Sequence, residues 1–334
     1  MKEGASAVRR WKDLDTDILV KIFLCFDVFQ STSGIDHVCN SWCSACCDPL
    51  LWKTLDLSML RSTFIKIPLE PYVYVDECSD KTLICLLKIS LSLSWGQIRT
   101  LIFHFNLYVG DEQFTYIAKR CPQLRCLVMP AWNRIKKDVI CKAIHTWRSL
   151  ISLTMPSIVN PPYLIEEIAL NCKNFSELKV MGPFDVLFAF TIAKFLPNLK
   201  ILSLRCSVIV KDALMLMLDD LANLEVLNIS YCLLIEGPLL PPLMTKKIIK
   251  KLDKIILEKA AQLCEFLICT EHSCIMCQRT RSDEGFMRWY KYEEGLWKMD
   301  EKLPSLLLCN YLFIFRNSCQ GFGILCSTFE ILLF

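Results

Sequence analysis

Two runs of cysteine carry most of the chemical potential in this chain. "VCNSWCSACCDPLLWKTLDL", from Val38 to Leu57, holds Cys39, Cys43, Cys46 and Cys47. "CTEHSCIMCQRT" holds Cys269, His272, Cys274 and Cys277 in the spacing C-x2-H-x-C-x2-C. Thiolate and imidazole are the ligands of tetrahedral zinc, so each run must be weighed as a metal site. The first has no second cluster, no neighbouring histidine except His37, and an adjacent Cys46-Cys47 pair that zinc geometry rarely uses. No metal is expected there. In the second, four ligands within nine residues can reach one ion, but the loop is tighter than zinc folds that draw ligands from two separated pairs. The preferred reading is a cysteine-rich loop tucked beside the aromatic segment "FMRWYKYEEGLW", with no metal and no cofactor.

Composition narrows the classes. The 334 residues are 53% hydrophobic, enough to bury a substantial core in two ordinary domains or one repeat array. Lysine and arginine number 38 against 35 acidic residues, a balance that points to neither a nucleic-acid nor a membrane partner. The charged N-terminus lacks a signal-peptide core, so export is not expected and the 20 cysteines read as reduced thiols of the nucleus or cytoplasm. Phosphate-binding, nucleophile-elbow and zinc-protease motifs are absent, and only four histidines are available, so no catalytic residue is assigned.

The elements that position these residues emerge from an internal repeat. "IRTLIF", "LRCLVM", "LISLTM", "FSELKV", "LKILSL" and "LEVLNI" begin at Ile98, Leu124, Leu150, Phe175, Leu199 and Leu224, at intervals of 26, 26, 25, 24 and 25. Each carries apolar residues at relative positions 0, 3 and 5, the L-x-x-L-x-L pattern of a leucine-rich repeat. "LWKTLDLS" has the same spacing in Trp52, Leu55 and Leu57 and reads as a first strand. Three residues before each later motif stands Cys121, Trp147, Cys172, Leu196 or Leu221, closing a helical stretch. Cysteine that exchanges with Trp and Leu is a packing residue. Each unit is therefore a strand followed by a helix, an α/β solenoid. Alternation along the strand turns positions 3 and 5 to the core and positions 2, 4 and 6 to the inner face.

Upstream, in "WKDLDTDILVKIFLCF", Asp15 or Thr16 can cap a helix whose apolar face is Ile18, Leu19, Ile22, Phe23 and Phe26. A second helix carries Val38, Cys39, Trp42 and Cys46 on one stripe and stops at Asp48-Pro49. Over roughly Trp11 to Leu57 this segment resembles an F-box. Leu14, Asp17, Ile18, Leu19, Ile22 and Phe23 match the family's first helix, and Val38, Cys39 and Trp42 match its "VC-x-x-W". Two departures are Asp15, where the family usually has proline, and Cys43, where it usually has a basic residue.

With the repeats, which resemble the cysteine-containing kind found in F-box proteins, the chain is similar to plant F-box/LRR-repeat proteins. The resemblance implies a non-catalytic substrate receptor of an SCF-type ubiquitin ligase. In such a receptor Leu14, Ile18, Leu19, Ile22, Phe23, Val38, Cys39 and Trp42 hold a Skp-type adaptor and, through it, a cullin. The repeats then present an unknown target. A repeat scaffold or ligand-binding protein with no ligase role is the alternative.

The expected organisation is an F-box over 11–57, repeats over 52–235 with an insertion at 61–95, a capping and cysteine/aromatic-rich region over 236–304, and an atypical apolar tail over 305–334. "TKKIIKKLDKIILEKAAQL", from Thr245, reads as one basic amphipathic helix closing the solenoid, with a membrane or nuclear-address role as the alternative. In the tail, Arg316 divides the apolar run, so neither part reaches bilayer length. Target contacts are expected on the inner face, at Glu177, Lys179, Arg205 and Asn228, with His104 in the first unit.

Overall fold

The computed structural model describes residues 14–60, 77–104, 107–130, 135–156, 161–237, 239 and 247–282. Residues 61–76 of the insertion, the aromatic "FMRWYKYEEGLW" and the tail over 305–334 lie outside the described residues.

A parallel sheet of eight strands runs through the repeats in the order β1 (Thr54–Leu57), β2 (Thr100–Phe103), β3 (Cys126–Val128), β4 (Ser152–Met155), β5 (Glu177–Val180), β7 (Ile201–Ser203), β9 (Val226–Asn228) and β12 (Glu265–Leu267). The register aligns the repeat motif with itself. Leu55, Leu101, Leu127, Leu153, Leu178, Leu202, Leu227 and Phe266 form one continuous row. A single backbone bond recurs beside it: the N–H at position 1 donates to the carbonyl at position 1 of the preceding unit, from Arg99 onto Lys53 (2.8 Å) through Arg125, Ile151, Ser176 and Lys200 to Glu225. Strands buried on both faces read as apolar runs in parallel sheets. Here the position-3 leucines are almost fully buried.

Each strand is returned by a helix: α5 (Asp111–Arg120), α6 (Lys137–Thr146), α7 (Pro161–Asn171), α8 (Val186–Phe195), α9 (Lys211–Asp220) and α10 (Lys254–Ala260). The residue three before each motif ends the helix and accepts from the motif's first N–H. Leu124 donates to Cys121 at 3.2 Å, Leu150 to Trp147 at 3.0 Å, Phe175 to Cys172 at 3.1 Å, Leu199 to Leu196 and Leu224 to Leu221 at 3.0 Å. Cys121 and Cys172 are buried packing residues, and burial pushes their thiols up to about 12 and about 11.

The ladder runs beyond its expected end at 235. Leu263 donates to Ala260 at 3.1 Å in the same geometry, so "LCEFLI" is a further motif, with Leu263, Phe266 and Ile268 at positions 0, 3 and 5. It starts 39 residues after Leu224, because the preceding loop is longer than in the other units. The helix expected from Thr245 is likewise interrupted. Lys247–Ile248 is a strand, β11, and the helical turn begins afresh after Asp253, whose extended backbone stands at the start of α10. Ile248 and Ile255 are exposed, while Ile256 is buried.

The long loop is used by a second, four-stranded sheet in which β6 (Pro183–Phe184), β8 (Val208–Val210) and β10 (Leu233–Glu236) run parallel and β11 closes the edge antiparallel. Its register pairs Pro183, Val208 and Leu233, spaced by 25 residues each time, a second repeat within the first. At the other end, α4 (Glu77–Leu93) supplies Leu83, Leu86, Leu87 and Leu91 to the same core. Among the described residues no helix is long and apolar enough to cross a membrane.

Truncating a row leucine removes buried methyl groups from the middle of the stack. Leu178→Ala is expected to destabilise the chain by ~3 kcal/mol. Leu170→Ala, at an exposed position of α7, should stay within about 0.5 kcal/mol. Chemical denaturation of the two variants checks the contrast.

Candidate functional site

The N-terminal segment folds as three short helices and a tight turn: α1 (Thr16–Phe23), α2 (Val28–Thr32), a 3-10 turn at Ile35–His37, and α3 (Asn40–Cys46). Asp15 occupies the cap of α1, its carboxylate accepting the Asp17 N–H at 3.2 Å. The departure from proline at this position therefore keeps a defined helix start. The helix over Val28–Thr32 was not anticipated, although Asp27 and Gln30 form the reciprocal capping box that D-x-x-Q encodes, at 2.8 and 3.0 Å. The helix expected from Val38 begins only at Asn40. Cys39 is its extended cap residue, and Val38 closes the preceding turn.

Leu19, Val20, Phe23, Ala45 and Cys46 make a small core between α1 and α3, flanked by Leu14, Ile22, Phe26, Ile35, Trp42 and Leu51. Phe23 packs against Phe26 at 5.7 Å and edge-on to Trp42 at 5.3 Å between ring centroids. The residues expected to touch an adaptor divide accordingly. Leu19 and Phe23 are interior, so they hold the helices together rather than offer contact. Leu14, Ile22, Cys39 and Trp42 are partly exposed. Ile18, at 46% exposure, and Val38, at 58%, present apolar surface to solvent.

Cys46 is a core residue. Burial, together with Asp36, Cys47 and Cys43, pushes its thiol up to about 12. Its carbonyl accepts the indole N–H of buried Trp52 at 2.7 Å, which ties the end of α3 to the first strand. Val28 of α2 belongs to the repeat core. The helical segment is thus built onto the first unit of the ladder.

Comparison with known proteins bears on this arrangement. No family model matches the chain. F-box/LRR-repeat protein At3g48880 of Arabidopsis thaliana is 62% identical over 295 residues, covering 88% of this chain and 95% of that protein. The chain belongs to the F-box/LRR-repeat family. The putative F-box protein At4g11580 of the same plant is 27% identical over 90% of this chain and 97% of its own length. F-box protein SKIP1, also from Arabidopsis thaliana, is 25% identical over 51% of this chain and 54% of its own length.

The inner face of this F-box/LRR-repeat chain corrects an expectation. Glu177, Lys179, Arg205, Asn228 and His104 all lie on the expected side of their strands or just beyond the strand ends, but each is buried rather than open to a target. Charged residues enter an interior when they meet complementary groups. Glu177 and Lys179 stand two apart on one strand. Both act on the Cys126 thiol, which burial pushes up to about 12, while Lys179 and the Ser152 hydroxyl pull it down and Glu177 pushes it up. The Arg205 guanidinium lies over the Tyr231 ring, 5.5 Å from its centre.

Beyond the last strand the structure gathers three of the four residues in the second cysteine run. The sulfurs of Cys269, Cys274 and Cys277 lie within 4.8 Å of one another. The loop alone did not reveal this, because it takes the helix α11 (Ile275–Ser282) to carry Cys277 back over Cys269. Burial works to raise the Cys274 thiol, but hydrogen bonds from the backbone N–H groups of Cys277 and Met276 and from the neighbouring thiols outweigh it, holding it below the ordinary value.

Inverting Lys179 separates a binding role from an interior one. Lys179→Glu puts a second carboxylate beside Glu177 in a buried layer and is expected to cost about 3 kcal/mol of folding stability. A surface contact residue would leave the denaturation midpoint unchanged.

Proposed function

We propose that this chain is the substrate-recognition subunit of an SCF-type ubiquitin ligase, its F-box docking a Skp-type adaptor that joins it to a cullin. The observation that supports the reading is the pair of solvent-facing apolar side chains, Ile18 and Val38, on a helical segment of F-box type built directly onto the repeat ladder. Exposed apolar groups rimmed by polar residues serve as anchors when a partner desolvates them. Leu14, Ile22, Cys39 and Trp42 are partly exposed on the same helical segment. The chain is a receptor and performs no covalent step. The ladder captures a target protein, and holding that target near an activated ubiquitin raises its effective concentration. The nucleus or cytoplasm is the compartment of this role, consistent with a chain rich in free thiols.

The test is capture of a purified Skp-type adaptor by the full chain. Each buried interface anchor carries about 2 kcal/mol, so Ile18→Asp with Val38→Asp should abolish capture while circular dichroism and melting stay unchanged. Leu19→Ala is expected to lose capture by a different route, through a measurable loss of F-box stability. Undiminished capture by the Ile18/Val38 double variant would overturn these two anchors, and no capture by the native chain would point to a repeat protein that works without the ligase.

A further inference from the structure

The last unit of the ladder has a thin apolar interior. Leu267 and Ile268 are exposed at 36% and 37%, and Phe266 is only half-buried. The helix α11 that follows is polar, "IMCQRTRS", and buries only Cys277 and Thr280. Apolar burial is therefore too small to explain why α11 stays folded back against the ladder end.

What it meets there is sulfur. Cys269 sits two residues past β12, at position 6 of the last motif, and its carbonyl accepts the Tyr231 N–H at 3.0 Å. That bond fixes Cys269 against the preceding unit. Cys274 immediately precedes α11, and Cys277 lies in its first turn. Cys277 places its sulfur 3.2 Å from the Cys269 carbonyl and 3.7 Å from the Cys269 sulfur. Zinc–sulfur bonds of about 2.3 Å in a tetrahedron set sulfur–sulfur edges of about 3.8 Å.

We propose that Cys269, Cys274 and Cys277 bind one zinc ion that staples α11 to the end of the ladder, with His272 as the fourth ligand. Each thiol gives its proton to solvent as its zinc–sulfur bond forms, and no electron is transferred. His272 lies in the same loop and is exposed, with Nδ1 3.1 Å from the Arg281 guanidinium. It exchanges that contact for the metal. The site is structural: all four positions are filled by protein, and the ion substitutes for the apolar core that the last unit lacks. The expectation of a metal-free loop rested on the ligands' closeness in sequence, and the helical turn between Cys274 and Cys277 removes that objection by bringing them onto one side of the loop.

The test uses the full chain purified with reductant. About one zinc per chain is expected by elemental analysis, and it should fall to background in Cys274→Ser and Cys277→Ser but persist in Cys264→Ser, an exposed neighbour. Replacing the zinc by cobalt(II) in the native chain should give sulfur-to-cobalt charge-transfer absorption and the intense visible bands of a tetrahedral ion, a readout that does not depend on whether the serine variants fold. Chelation should speed tryptic cleavage after Arg279 and Arg281. His272→Ala should weaken zinc at least tenfold and leave the charge-transfer band; unchanged affinity would remove His272 from the site. A folded, reduced chain that binds neither zinc nor cobalt would overturn the proposal, as would a Cys269–Cys277 disulfide in the native protein.

Discussion

Everything in this chain hangs on the row of position-3 side chains that runs from Leu55 to Phe266 across eight strands. A parallel strand pair cannot be closed by a tight turn, so each unit must spend a helix to return to the start of the next strand. The leucine row makes that return worthwhile, because each strand buries its leucine only when the next one covers it. Register follows from the same constraint: a slip by one residue would turn every leucine to the wrong face. The recurring bond onto the residue three before each motif then fixes where every helix stops.

A stack of this kind has two open ends, and the chain closes them by different means. At the start, Val28 of α2 and the leucines of α4 enter the repeat core, and the Trp52 indole holds the end of α3. The N-terminal helices are thereby part of the cap, which joins the orientation of the F-box to that of the first repeat. Toward the other end the loops lengthen into a second sheet, and α9 and α10 are clasped by the Lys211–Asp253 and Lys259–Asp219 ion pairs. These pairs are partly exposed and contribute little by themselves. At the last turn the sulfurs of Cys269, Cys274 and Cys277 gather.

The inner face of this F-box/LRR-repeat chain carries buried polar side chains. Polar residues on an inner strand face read, one at a time, as contacts awaiting a partner. In the folded chain they are packed together: Glu177 beside Lys179 near the Cys126 thiol, and Arg205 across the Tyr231 ring. Such groups set a requirement on one another, since removing one member leaves the rest buried without its complement. Their identities are then fixed by the interior first.

The F-box character of the first helices came through resemblance to a family, whereas the sequence alone determined the period, the strand positions, the buried role of Cys121 and Cys172 and the apolar face of the first helix. Each of these is written in local spacing: 0, 3, 5 within a motif, about 25 between motifs, and an apolar helical face at Ile18 to Phe26. The motif at Leu263 carries the same signature, yet a gap of 39 residues hid it, because periodicity is legible only while loop lengths hold. Only the tertiary structure could divide the first helix into Leu19 and Phe23 inside and Ile18 outside, since an amphipathic face records apolarity but not what covers it. It also decided that the polar inner residues are buried and that Cys269, Cys274 and Cys277 converge. Both depend on distances between elements, and those distances are set by packing rather than by neighbours in the chain.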